Sequence, residues 1–131
     1  MIVVDCSYTM AMVMPDELRP QSLTRTLDAR LFVPSIWPVE VANALRNSVR
    51  RQRLREAQVS EVCAGLDLYE IEVVAAVDPS VRERYLSAQS HDLTAYDAAY
   101  LDLALQRRCA LATLDTRLAE AATRAGVAVL D

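Results

Sequence analysis

Four acidic residues stand where an oxygen-rich metal site needs them. Asp5 follows the apolar run Ile2-Val3-Val4, and Asp115 follows Ala110-Leu111-Ala112 within the turn Thr113-Leu114-Asp115. Glu40 and Asp97 fall in the first turns of two helices expected from the sequence. Carboxylates gathered in one pocket repel one another, so they either take up protons or share a cation. Hard oxygen donors, with neither histidine nor cysteine among them, favour Mg²⁺ or Mn²⁺ over Zn²⁺. Such an ion acidifies a water and polarises a phosphoryl oxygen, which is the chemistry that hydrolysis of a phosphodiester requires.

Each acid also has a local explanation. Asp97 can complete a capping box begun by Thr94, Asp115 can cap the last helix, and Glu40 can complement a helix dipole. For Asp97 or Asp115 taken alone, capping is the favoured reading. Asp5 differs, because it ends a strand expected to be buried on both faces, where an unpaired charge is expensive. Two nearby acids are expected to lie elsewhere. Asp92, two residues before Thr94, belongs to a loop, and Asp102, five residues after Asp97, stands about 140° around the helix from it. His91, the only histidine, is expected to be a loop residue without a role.

The elements that must position these acids alternate. Short β-rich runs are expected at Ile2 to Val4, Leu31 to Val33, Glu72 to Val74, Ala110 to Ala112 and Ala128 to Leu130. Helices are expected between them. The first runs from Ser7, as its N-cap, to Met14 before Pro15, and the second from Leu23 to Ala29. A longer one begins at Pro38 and buries Val41, Ala44, Leu45 and Val49 down to Gln52. Another spans Glu56 to Tyr69 with Val59, Val62, Cys63 and Leu66 inward, and the next Ser80 to Ser90. The helix opened by Thr94 buries Tyr100, Leu101, Ala104 and Leu105. The last covers Leu118 to Ala125 and stops at Gly126 in a left-handed cap. Such alternation implies a three-layer α/β/α domain, 1–131, around a parallel sheet of about five strands. Ligands of such sheets gather beyond the carboxyl ends of the strands, where all four acids are expected.

Composition narrows the function. A chain of 131 residues with 53% hydrophobic and 24% charged residues can bury a core and is not disordered. A net charge of −4 argues against a broad basic surface, so any RNA contact must be local. Cys6, Cys63 and Cys109 are odd in number and form no C-x-x-C pair, which suits a reducing cytoplasm. No leader or membrane-spanning run is apparent, so no membrane association is expected. Gly65 and Gly126 are the only glycines and neither makes a phosphate loop, which excludes P-loop and dinucleotide-binding functions. A strand-end Asp also begins haloacid-dehalogenase-like phosphatases, but their D-x-D signature needs an acid where this chain has Ser7.

The motifs together resemble the PIN-domain family, and particularly its VapC-type toxins. The resemblance rests on Ile2-Val3-Val4-Asp5-Cys6-Ser7, on Val33-Pro34-Ser35 leading to Glu40-Val41-Ala42-Asn43-Ala44-Leu45, on Leu93-Thr94-Ala95-Tyr96-Asp97-Ala98-Ala99-Tyr100-Leu101, and on Leu111-Ala112-Thr113-Leu114-Asp115-Thr116-Arg117-Leu118. It implies a metal-dependent endoribonuclease in which Asp5, Glu40 and Asp97 hold Mg²⁺ or Mn²⁺ and Asp115 completes or adjusts the site. Ser7, Asn43 and Thr113 are supporting candidates: Thr113 positions a ligand or water, Ser7 supports Asp5 or merely caps a helix, and Asn43 reaches the site or the surface. The resemblance also implies an RNA substrate, a cognate VapB-like antitoxin and a homodimer. Cys6 stands where a small residue such as alanine is frequent, and a buried, inert thiol is expected there.

Arg46, Arg50, Arg51, Arg53 and Arg55 form the densest basic segment. It either guides a phosphate backbone or is a solvated helix end that complements the C-terminal dipole. Tyr8, Met10, Met12, Met14 and Trp37 offer either a receptor for the antitoxin or core packing. Two other readings stay open: a noncatalytic PIN-like binding module, and an RNA-processing nuclease outside a toxin–antitoxin pair.

Overall fold

The computed structural model describes residues 1–131. Five strands, β1 (Ile2–Val4), β2 (Leu31–Pro34), β3 (Ile71–Val74), β4 (Ala110–Ala112) and β5 (Val129–Leu130), form one parallel sheet in the order β3-β2-β1-β4-β5. The chain moves outward from β1 to β3 and then returns to the other side of β1. β1 and β4 therefore flank the switch point, where the connections leave in opposite directions and open a crevice at the carboxyl edge.

Side chains alternate along the strands and tie each face to its own helices. Val3, Phe32 and Leu111 pack with Leu101 and Ala104 of α6 (Ala95–Arg107) and with Leu118 and Ala122 of α7 (Thr116–Arg124). Ile2, Val4, Leu31, Val33 and Ala112 point the other way, onto Tyr8 and Met12 of α1 (Cys6–Val13). A third cluster joins Met10 and Met14 to Val41 and Leu45 of α3 (Trp37–Arg50) and Val62 of α4 (Val59–Leu66). The remaining helices are α2 (Leu23–Leu27) and α5 (Val81–His91). The three-layer arrangement expected from the alternating pattern is what the chain adopts.

Several local expectations need correction. The cap of α1 is Asp5, not Ser7, because the Asp5 carboxylate reaches the Tyr8 amide at 2.7 Å and satisfies one of the helix's free N–H groups. The segment expected as one helix from Glu56 to Tyr69 is a 3₁₀ turn, Glu56–Gln58, followed by the shorter α4. Cys63 lies exposed on α4 rather than inward, and Leu105 is partly exposed while Leu103 takes the buried place beside Leu101. His91 is the last residue of α5, with Nε2 3.8 Å from Asp102. Tyr8 and Met12 are buried against the sheet, and Met10 and Met14 are buried against α3 and α4. They pack the core and present no receptor surface to a partner. Gly126 does follow the last helix with φ +80°, the left-handed conformation expected of it.

Candidate active site

β1 delivers Asp5 to the crevice, and the side chain is almost wholly buried at 4% exposure. Three donors hold it there. Ser7 Oγ lies 2.8 Å from both carboxylate oxygens, Thr113 Oγ1 donates to Oδ2 at 2.6 Å, and the Tyr8 amide donates to Oδ1. The two hydroxyls also stitch the neighbouring β4–α7 turn to β1. Ser7 Oγ accepts from the Leu114 amide at 3.0 Å and Thr113 Oγ1 from the Asp115 amide at 3.0 Å. Ser7 is thus a support for Asp5 from inside the helix, and Thr113 bridges Asp5 to Asp115.

Glu40 enters from the first turn of α3 and accepts a short hydrogen bond from the Tyr100 hydroxyl. Tyr100 lies three residues after Asp97 on α6, so one helix carries an acid and the anchor of a second acid. Thr94 caps that helix, its hydroxyl accepting from the Asp97 amide at 3.1 Å. Asp115 caps α7 through the Leu118 amide at 2.8 Å. Capping and a place at the crevice therefore coincide in Asp5 and Asp115. A short relay fixes the frame behind them: Trp37 Nε1 donates to Thr9 Oγ1 at 3.0 Å, and Thr9 Oγ1 donates to the Asp5 carbonyl at 2.6 Å.

The acids feel one another. Burial pushes Asp5 up to about 6, against the pull of its hydrogen bonds and with a further push from Asp97. Burial raises Glu40, and Asp97 adds to the rise. Burial and then Asp115 raise Asp97. No three carboxylates already converge into a metal cage. The donor set nevertheless suits a hard divalent cation, since it is all oxygen and its members hold each other's protons on at the expense of charge.

Cys6 is half-buried beside these acids rather than buried, and burial, then Glu40 and Asp5, push its thiol up to about 12, the direction that lowers thiol reactivity. Alkylation of native protein with iodoacetamide at pH 8 is expected to label exposed Cys63 and spare Cys6. Peptide mapping that finds Cys6 labelled as fast as Cys63 refutes this.

Other sequence candidates lie elsewhere. Asn43 is exposed and makes no hydrogen bond to the acids. Asp92 is an exposed left-handed cap of α5. Asp102 is held away from the site by Ser87 at 2.6 Å and Arg84 at 3.1 Å. Arg50 lies ten residues down α3 from Glu40, about 15 Å at 1.5 Å per residue. Arg53 is occupied by Asp16 and Glu17. Arg50 and Arg53 thus belong to a helix end away from the acids, while Arg117 at the start of α7, whose guanidinium also donates to the Asp92 carbonyl at 3.1 Å, opposes the rise at Asp97. Sequence reasoning placed Tyr100 only in the buried stripe. Its signal was a buried phenol that needs a hydrogen-bond partner, one turn from Asp97.

The PIN domain family matches residues 2–124. The chain is 33% identical over 121 residues to Ribonuclease VapC3 of Pyrobaculum aerophilum, covering 91% of this chain and 92% of that one. Among solved structures it is similar in fold to PAE2754 from Pyrobaculum aerophilum, with a TM-score of 0.71, 23% identity and coverage of 98% of this chain and 87% of that one. It is also similar in fold to FitAcB from Neisseria gonorrhoeae, with a TM-score of 0.59, 20% identity and coverage of 100% and 97%. A family match over almost the whole chain and a relative aligned end to end agree with the strand-end acids: the chain belongs to the PIN-domain family and is of its VapC type.

Proposed function

We propose that this protein is a Mg²⁺- or Mn²⁺-dependent endoribonuclease, the toxin of a toxin–antitoxin pair, acting through Asp5, Glu40, Asp97 and Asp115. The observation that carries the reading is Asp5, buried at the carboxyl edge of the sheet yet held by three donors, with Asp97 close enough to Asp5, Glu40 and Asp115 for their charges to act on one another. Burying a carboxylate costs stability, and the fold accepts that cost where a cation can offset it. The relative's name, Ribonuclease VapC3, supports RNA as the substrate.

When bound, the ion supplies a Lewis acid for the scissile phosphate and for the attacking water. The chain's own residues fix its surroundings. Ser7, Thr113 and the Tyr8 amide orient Asp5, and the Tyr100 hydroxyl fixes one oxygen of Glu40 and leaves the other free. Neither histidine nor an ionised thiol stands at the site to act as base, so water is the nucleophile and the products carry 5′-phosphate and 3′-hydroxyl ends. Cyclic phosphate ends on the products contradict this mechanism.

The test is cleavage of a mixed RNA pool by purified, antitoxin-free protein with Mg²⁺ or Mn²⁺, with EDTA, and with Asp97→Asn. Cutting that needs metal and disappears in the variant supports the reading. A folded protein that cuts none of the pool favours a noncatalytic binding module. No helix is long and apolar enough to cross a membrane. A VapB-like antitoxin and a homodimer complete the proposal, measured by co-purification and by sedimentation.

Arg117, 73% exposed at its side chain and next to Asp97 electrostatically, is proposed to take a phosphate of the RNA backbone. Arg117→Ala is expected to raise KM about three- to tenfold with kcat nearly unchanged and to lower the slope of log affinity against log salt by about 0.7. An unchanged slope refutes the contact.

A further inference from the structure

A cavity of about 400 Å³ lies between the carboxyl ends of β2 and β3 and the outer face of α6. Its walls are apolar, formed by Pro34, Ile36, Val74, Ala99 and Leu103. Arg84, Asp102 and Gln106 are the charged and amide groups of its lining. Tyr96 lines it too, an aromatic ring 58% exposed. None of these residues belongs to the acidic site, but the chain places the two side by side. Tyr96 immediately precedes Asp97, and Ile36 is the residue before the helix that carries Glu40.

We infer that this cavity receives the base of the nucleotide beside the scissile phosphate and so sets where the RNA is cut. The inference rests on the RNA-cleaving reading above. The volume falls at the small end of the range for ligand pockets, roughly 300–1,000 Å³, and suits one planar ring system. Its chemistry suits a base better than an apolar side chain of a partner. Arg84 Nη1 at 3.1 Å and Ser87 Oγ at 2.6 Å both bind Asp102 Oδ2, which leaves Oδ1 as an acceptor with His91 Nε2 3.8 Å away. A hydrocarbon group seated here leaves the Asp102 carboxylate and the Gln106 amide unmet, whereas a base edge offers both donors and acceptors. Tyr96 adds a stacking face at the rim, and unpaired bases are bound in this way, between an aromatic face and a few edge contacts. A phosphate held at the acids leaves the attached nucleotide within reach of the cavity, because one residue of α6 separates their walls.

The test uses the Asp5→Asn background, expected to cut roughly a thousandfold more slowly, in Mg²⁺. Binding of fluorescein-labelled hexaribonucleotides of A, C, G and U is measured by anisotropy, alone and with Ala99→Phe, which fills the cavity, or Tyr96→Ala, which removes the exposed ring without touching the core. The expected result is one base bound at least about tenfold more tightly than the weakest, a preference erased by Ala99→Phe, and a loss of about tenfold for that base in Tyr96→Ala. Equal affinity for all four, or a preference that survives both variants, overturns the inference. If Ala99→Phe changes the mass in solution from two copies to one while the preference persists, the cavity is a contact between copies and the inference also falls. The wild-type chain separates this from the function itself. Cutting with a site preference that neither variant alters keeps the nuclease and removes the base pocket; a preference erased by Ala99→Phe in a chain that never cuts RNA does the reverse.

Discussion

Asp5→Asn is expected to lower RNA cleavage roughly a thousandfold or more while raising the melting temperature of the metal-free protein. The two effects have opposite signs because one charge serves function and opposes folding. The carboxyl titrates at 3.8 when unperturbed and at about 6 in the folded chain. Between those values the folded state holds the extra proton, so stability falls as pH rises through the window from about 4 to about 6. Above it, the carboxylate costs on the order of 3 kcal/mol relative to its neutral form, at about 1.4 kcal/mol per pH unit.

Asparagine keeps the neutral form at every pH. Its oxygen can still accept from the Tyr8 amide, and its amide can face Thr113 and Ser7, although their hydroxyl protons lose a charged acceptor. Allowing for that loss, the net gain is about 1–2 kcal/mol at pH 7.5, or roughly 3–6 °C for a domain of this size. Calorimetry in EDTA at pH 7.5 and at pH 4 checks it. The gain is expected to vanish at pH 4, where the wild-type carboxyl also carries its proton. A variant less stable than wild type at pH 7.5 shows that hydrogen bonding, not desolvation, governs Asp5. A variant that still cuts removes Asp5 from the reaction.

The same tension explains what could be seen in the sequence. Strands β1, β2 and β4 are near-continuous apolar runs because both faces of the sheet are covered, and their bounds were readable to within a residue. The edge strand β3 is half exposed, with Glu72 and Val73 facing solvent, yet its β-branched residues still marked it. What escaped were features set by partners distant in sequence. Ser7 satisfies every local rule for a helix cap, and only the buried carboxylate two residues earlier displaces it. Tyr100 looked like one more core residue because its hydroxyl partner, Glu40, lies 60 positions away. Met10, Met12 and Met14 read equally as adaptable surface or as core, and periodicity could not distinguish these on a helix buried almost all round. The acids themselves were legible as types and spacings. Their coupling was not, since Asp5 and Asp97 influence each other only after the sheet brings β1 and α6 together.

Mg²⁺ is expected to restore the stability that these acids cost, and to do so less at low pH. A ligand that binds only the folded chain adds about 2.7 kcal/mol at a hundred times its Kd, which raises the melting temperature by roughly 8 °C at pH 7.5. Lowering the pH to 5 leaves only about a tenth of Asp5 ionised if its carboxyl titrates at about 6. Affinity then falls about tenfold from this residue alone, and the same Mg²⁺ concentration contributes about half as much. Glu40 and Asp97, also raised, steepen the loss. The sign is opposite to that of the metal-free chain, whose stability rises as the pH falls through this window. Thermal melts with and without Mg²⁺ across pH 5 to 8, repeated on Asp97→Asn, read both trends at once. A shift that persists undiminished at pH 5, or that survives Asp97→Asn, places the cation away from these carboxylates. A shift that grows with pH and disappears in the variant ties the cation, and with it the cutting, to the acids that the sheet edge brings together.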